Sequence, residues 1–228
     1  MNSLHFFFAN LYKPARLSLW TMALLLAVLV NGCSKKPLPP PEPPVIERYD
    51  EATRKRIAQW KALIKETKKA PISEKLASVN KFFNHLHFVT DRNHWGQEDY
   101  WATPLETLVS NGGDCEDFTI AKYFTLKSLE VPDKKMRLTY VKSLTRNQAH
   151  MVLNYYHHPS SDPLVLDNLN KRIVPASQRK DLVPVYSFNG TGLWLAKNRG
   201  YSTPVGGASR LKLWQEVLQR AEDEPLLP

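Results

Sequence analysis

The chain has 228 residues, 31 Lys and Arg against 22 Asp and Glu, a formal charge of +9 and an ordinary share of apolar and aromatic residues. That composition excludes a collagen, a coiled coil and a wholly disordered chain, and it suits one globular domain with extensions. The basic balance is open to nucleic acid, an anionic membrane surface or an acidic partner. No RNP motif, zinc-finger spacing or basic helix is present to favour nucleic acid.

The first segment reads as an address. Lys13 and Arg16 precede an apolar run from Leu17 to Val30, and no acidic residue occurs before Glu42. A basic start and an apolar stretch of about 14 residues match a secretory signal, and the stretch is short for a membrane span of about 20. Val30-Asn31-Gly32-Cys33 follows and resembles a lipobox, with Cys33 as the acceptor of a lipid. Cleavage nearby and an uncleaved anchor are the alternatives, and all three put the remaining chain outside the cytoplasm, in a periplasm. Residues 1–33 are thus the signal and 34–47 a proline-rich linker. Pro37, Pro39, Pro40, Pro41, Pro43 and Pro44 favour an extended, semi-rigid spacer there. Residues 48–222 form the folded domain and 223–228 a tail.

Within the domain, Ile57, Trp60, Leu63 and Ile64 fall at helical spacing and predict a helix over 48–68. A second helix is expected over 73–86, with Ser73 as its cap and Val79, Phe82, Phe83 and Leu86 on its buried face. Pro104 opens a short helix through Val109. Asn111-Gly112-Gly113 breaks it, and a further helix runs from Cys115 to Leu129. β-like runs follow at 136–141, 150–156 and 164–166, separated by turn residues. Runs at 185–188 and 193–196 are expected as edge strands, and a last amphipathic helix spans 209–221. Helices followed by antiparallel strands make the class α+β.

Chemistry concentrates at Gly113-Asp114-Cys115-Glu116-Asp117. A cysteine at a helix start meets backbone N–H groups and the positive end of the helix dipole, which stabilise a thiolate and a developing oxyanion. A nucleophile of that kind needs a base and a group to orient it. His150 heads one β-like run and Asp167 ends the next, so a hairpin would bring them side by side. A structural histidine and a buried core thiol are the plain alternatives. Carboxylates beside Cys115 are odd neighbours for a core residue. They also raise a thiol pKa, so a cation is needed to offset them. Ca²⁺ suits such oxygen ligands, with Asp114, Glu116 and Asp117 as its candidates and Asp91, Glu98 and Asp99 as further ones. His157-His158 reads as an exposed turn rather than a metal site.

Gly113-Asp114-Cys115-Glu116-Asp117-Phe118, Tyr140-Val141-Lys142, Ala149-His150-Met151-Val152-Leu153, Leu166-Asp167-Asn168-Leu169 and Pro184-Val185-Tyr186-Ser187-Phe188-Asn189, in this order and spacing, resemble the bacterial transglutaminase-like cysteine proteinases. Trp95-Gly96 and Tyr100-Trp101-Ala102-Thr103-Pro104 extend the likeness, which covers residues 49–194. The resemblance implies a papain/transglutaminase core, with the nucleophile at a helix N-terminus packed on an antiparallel sheet. It also implies a periplasmic endopeptidase with Cys115, His150 and Asp167 as its triad and Ca²⁺ as its cofactor. The implied substrate is the N-terminal region of a large surface adhesin, whose cleavage releases cells from a biofilm. The implied partner is an inner-membrane receptor of the LapD type that responds to cyclic di-GMP. Acyl transfer to an amine on the same triad and a non-catalytic binding lipoprotein are the competing readings.

Overall fold

A computed structural model describes residues 48–196 and 202–224. The signal segment with Cys33, the linker over 34–47 and most of the tail lie outside the described residues. Two helices open the domain, α1 (Glu51–Thr67) and α2 (Ile72–Phe83). Asp50 caps α1, its side chain accepting from the Thr53 N–H at 2.7 Å. Ile57, Trp60 and Ile64 are buried, as their spacing requires. α2 begins one residue earlier than expected, with Pro71 rather than Ser73 at its cap. The fixed φ of proline holds the chain extended immediately before the helix. Leu76, Val79 and Phe83 form its buried stripe, and Phe82 and Leu86 are half-buried.

A short strand, β1 (His87–Phe88), and a single helical turn, α3 (Asp91–His94), lead to α4 (Pro104–Ser110). Thr103 and Glu106 close a capping box at the start of α4. Asn111 ends it at φ 58°, the left-handed conformation asparagine tolerates. Then β2 (Gly112–Gly113) pairs in parallel with β1, His87 against Gly112 and Phe88 against Gly113. A Cβ on Gly112 would lie 2.6 Å from the His87 carbonyl oxygen, and one on Gly113 would lie 2.3 Å from Asp117 Oδ2. Both positions therefore need glycine for close approach.

α5 (Cys115–Ser128) follows directly, and residues from Asp117 to Leu126 are buried all round it. It is the axle of the fold. The Trp60 indole on α1 donates to Thr125 Oγ1 at 2.8 Å, and Thr119 Oγ1 donates to the Met151 carbonyl at 3.1 Å. The strands are β3 (Met136–Ser143), β4 (Gln148–Tyr155), β5 (Leu164–Leu166), β6 (Val174–Pro175), β7 (Leu182–Phe188), β8 (Gly192–Ala196) and β9 (Ser202–Gly207). They form one sheet in the order β6-β5-β4-β3-β7-β8-β9, antiparallel at every step.

The strands expected at the sheet edge are not there. β7 lies between β3 and β8, and β8 is covered by β9. Composition reports how exposed a strand's faces are, not how many neighbours it pairs with. Leu138, Met151, Leu153, Leu166 and Phe188 line the sheet face that packs with Trp60, Phe83 and Tyr123. Each such side chain contributes roughly 1.5–3 kcal/mol by leaving water. Val141, Val152 and Val165 pack with Ala176 and Leu182 in a smaller cluster. The closing helix, α6 (Lys212–Glu222), buries Trp214 and Val217. No helix among the described residues is long and apolar enough to cross a membrane.

Candidate active site

Cys115 is the first residue of α5, half-buried and free of any disulfide. The turn before it is clamped three ways. Asp114 and Asp117 cap the helix reciprocally: the Asp114 N–H donates to Asp117 Oδ2 at 3.1 Å and the Glu116 N–H to Asp114 Oδ1 at 3.3 Å. The Ala102 N–H donates to the other Asp117 oxygen at 2.7 Å. The β1–β2 pairing holds the glycines.

β4 passes beside the thiol. Burial pushes the Cys115 pKa well up and Glu116 adds to it, while the Met151 N–H acts in the opposite sense. Next to Met151 is His150, almost wholly buried, whose Nε2 lies 2.8 Å from Asp167 Oδ1. The hairpin anticipated from the turn residues is what joins them: Leu153 pairs with Leu166, and Asp167 is the next residue. A carboxylate only accepts, so Nε2 carries the proton and Nδ1 is the nitrogen left with a lone pair. The three residues selected as nucleophile, base and orienter thus lie on α5, β4 and the end of β5.

Asp167 is fully committed. Oδ1 also accepts from the Leu169 N–H at 2.9 Å, and Oδ2 accepts from Arg179 Nη2 at 2.8 Å. Asn84 Nδ2 donates to its backbone carbonyl at 2.8 Å. Burial alone would raise this carboxyl, but the His150 contact and these donors outweigh it and hold the pKa at about 2.

The acidic residues behave differently. Asp91, Asp114 and Asp117 bring carboxylate oxygens within 4.8 Å of one another. Asp91 is buried, and its Oδ1 has no hydrogen-bond partner while Oδ2 accepts from the Tyr100 N–H at 2.6 Å. Burial, with neighbouring carboxylates, pushes Asp91 up to about 6 and Asp117 to about 8, and Asp114 is raised for the same reasons. Glu116 instead turns to Cys115, whose thiol donates to Oε2 at 2.8 Å. It groups with Asp114 and Cys115 rather than with Asp91 and Asp117. Asp99 accepts from the Trp101 indole at 2.9 Å, and Glu98 is exposed against Arg92. His157 and His158 meet edge to face, ring centroids 4.6 Å apart, on an exposed turn.

A converging set of buried acidic oxygens, one without a partner, suits a hard cation with oxygen ligands. Tyr140 and Tyr186 stack nearby at 5.1 Å, within the field of Glu116. There the register shift that leaves Val185 out of the β3–β7 pairing bends the strand.

Two residues escaped the sequence reading. Arg179 sits in a loop beside Lys180, where a basic residue looks like surface. Lys122, fully buried, has its ammonium 5.9 Å from the Phe118 ring centroid. Its signal was a lysine inside an apolar helical run with no polar face to share.

A helix-borne cysteine against an antiparallel sheet defines a transglutaminase-like cysteine protease. The family model for the bacterial transglutaminase-like cysteine proteinases matches residues 47–195, and the chain belongs to that family. Among solved structures it is similar to LapG of Legionella pneumophila. The EGTA-treated form is 48% identical at a TM-score of 0.70, covering 77% of this chain and 92% of that one. The calcium-bound form is 48% identical at a TM-score of 0.69, covering 77% and 94%. Comparison with curated proteins gave no match.

Proposed function

We propose that this cysteine protease is a calcium-dependent endopeptidase that works in the periplasm on the N-terminal region of a large surface adhesin, releasing cells from biofilm. The observation that carries its chemistry is the buried His150–Asp167 pair, 2.8 Å across, on the strands beside a helix-borne cysteine. Cys115 Sγ attacks the scissile carbonyl as its proton passes to His150 Nδ1. Backbone N–H groups of the first turn of α5 hold the oxyanion. His150 then returns the proton to the leaving amine, and a thioester remains on Cys115. Water, deprotonated by His150, resolves it.

Calcium supplies positive charge and fixed coordination when bound. Asp91, Asp114 and Asp117 are the residues that would hold it, with Glu116 as the fourth candidate. The partnerless Asp91 Oδ1 and the raised pKa values of this set support the fit. The calcium-bound form of the LapG relative supports the choice of ion. Glu116 is the charged neighbour that, after burial, raises the thiol pKa most. Held on the thiol, its carboxylate accepts the S–H and opposes ionisation; as a ligand of a bound cation it would no longer hold that proton. The signal-like N-terminus supports export, and a LapD-type receptor responding to cyclic di-GMP is the partner expected to sequester the enzyme.

The test is incubation of the purified protein with the adhesin's N-terminal segment, with and without EGTA, beside Cys115→Ala. Cleavage is expected only for the wild-type chain with calcium. Cleavage by Cys115→Ala would sink the mechanism, and cleavage indifferent to EGTA would sink the calcium dependence. Amine incorporation without cleavage would make the protein an acyl transferase.

A further inference from the structure

We infer that Arg179 is a positioning residue for the proteolytic reaction: it holds Asp167 by its outer oxygen, so that the inner oxygen fixes the tautomer of His150. The inference rests on the Cys115–His150–Asp167 reading above.

The geometry is a chain of four side chains. His150 Nε2 donates to Asp167 Oδ1 at 2.8 Å, Arg179 Nη2 donates to Asp167 Oδ2 at 2.8 Å, and Arg179 is gripped in turn by Asp181 through that same Nη2 and through Nε. That grip is a two-point fork, Nε to Oδ1 at 2.9 Å and Nη2 to Oδ2 at 2.8 Å. The first three members are buried, with side-chain exposures of 2% for His150, 0% for Asp167 and 5% for Arg179, whereas Asp181 reaches solvent at 32%. Only Asp181 is therefore anchored from outside.

The arrangement solves a rotational problem. A carboxylate bonded to imidazole at one oxygen can still turn about its Cβ–Cγ bond. A planar guanidinium on the second oxygen stops that rotation, and its fork to Asp181 stops the guanidinium from following. The Leu169 N–H on Oδ1 and Asn84 on the Asp167 carbonyl hold the backbone end. The charged groups facing Asp167 are then His150 from β4, Arg179 from the loop after β6, with Asp181 behind it, and Lys122 from α5. Lys122 makes no hydrogen bond to Asp167 and contributes only a field, so Arg179 is the side chain that sets orientation.

The experiment compares calcium-loaded wild type with Arg179→Met, Arg179→Lys and Asp181→Asn. Cleavage of the adhesin's N-terminal segment gives kcat and KM. ¹⁵N NMR of the His150 ring, assigned by its loss in His150→Gln, gives the tautomer. Arg179→Met is expected to lower kcat about 100-fold with KM unchanged, the scale of a misplaced catalytic group, and to turn a single Nε2–H tautomer into a mixture. Arg179→Lys restores charge without the fork, so it should recover about tenfold of that loss. Asp181→Asn should lower kcat in the same direction by less. A fixed Nε2–H tautomer and a kcat within about twofold of wild type in Arg179→Met overturn the inference. If circular dichroism finds that variant unfolded, the same null result in Asp181→Asn overturns it. Failure of the triad itself reads differently: Cys115→Ala would go on cleaving.

Discussion

The carboxylates of the site are held in two opposite ways. On the strand side, Asp167 has a histidine, an arginine and a backbone N–H on its two oxygens, and its pKa lies at about 2. On the helix side, Asp91, Asp114 and Asp117 are pressed together with only backbone donors, and all three are raised. The chain carries its own countercharge in one half of the site and none in the other. The strand half is complete when the protein folds, and the helix half has the oxygen ligands that would suit a cation.

The sharpest cut through this contrast is Asp167→Asn. An amide at that position presents its N–H₂ or its carbonyl to Nε2 and no longer enforces the Nε2–H form. The kcat is expected to fall about 10⁴-fold, as loss of tautomer control costs in an acid–base triad. Calcium binding, followed by the ion's effect on the melting temperature, should be unchanged. A variant that lost both would join the halves into one unit and end the contrast.

Calcium itself tests the other half. An ion that binds only the folded protein stabilises it by about 2.7 kcal/mol at 100 times its Kd, which for a domain of this size raises the melting temperature by roughly 5–10 °C. Asp91→Asn should abolish that shift. In EGTA the same variant should melt higher than wild type, because it removes a buried like charge with no partner on Oδ1. A variant less stable in both conditions would mean Asp91 is an ordinary core contact.

These two halves were unequally readable in the sequence. Cys115 stood out because a glycine turn places it at a helix start and the carboxylates beside it are odd neighbours for a core thiol. His150 and Asp167 were reachable because a hairpin is local: two β-like runs and one turn bring them together. Asp91 was visible only as one of several acids, because its approach to Asp117 depends on a single helical turn and the 95–103 loop folding back. Arg179 left no pattern at all. Its burial comes from the loop between β6 and β7 crossing over the sheet, with Ala176 and Leu182 packed on Val141, Val152 and Val165, and that path is a tertiary fact. β7 was placed at the sheet edge for the same reason, since pairing on a second side is a tertiary fact.

Acid and base should break the halves in opposite directions. Asp91 and Asp117 bind protons more tightly folded than unfolded. Their contribution to stability is therefore full below the ordinary carboxylate pKa of about 4, and it is lost as pH rises through about 6 and about 8. Asp167 is depressed, so its contribution is present above about 4 and lost as pH falls through about 2. Melting of the EGTA-treated protein should therefore drop between pH 5 and pH 9, and saturating calcium should flatten that decline while leaving the acid limb untouched. A calcium-free protein whose melting temperature climbed over that range would contradict the assigned crowding.

The smallest effect probes how the helix half is braced. Thr103 is wholly buried, and its Oγ1 accepts from the Glu106 N–H at 3.2 Å while its own N–H donates to Glu106 Oε2 at 2.8 Å. The neighbouring Ala102 N–H is what holds Asp117 Oδ1, at 2.7 Å. Thr103→Ala removes the cap, together with the hydroxyl's hydrogen bond to Glu224, and should cost at least about 1 kcal/mol, read as a melting temperature lower by roughly 2–4 °C or more. Because the loosened segment carries Ala102, the variant should also bind calcium more weakly, while the His150 ring keeps its Nε2–H tautomer. Thr103→Ser keeps the hydroxyl and should retain most of both properties. If Thr103→Ala disturbed the His150 tautomer and spared calcium, the brace would belong to the strand side, and the division between a self-sufficient half and a cation-dependent half would fail at its boundary.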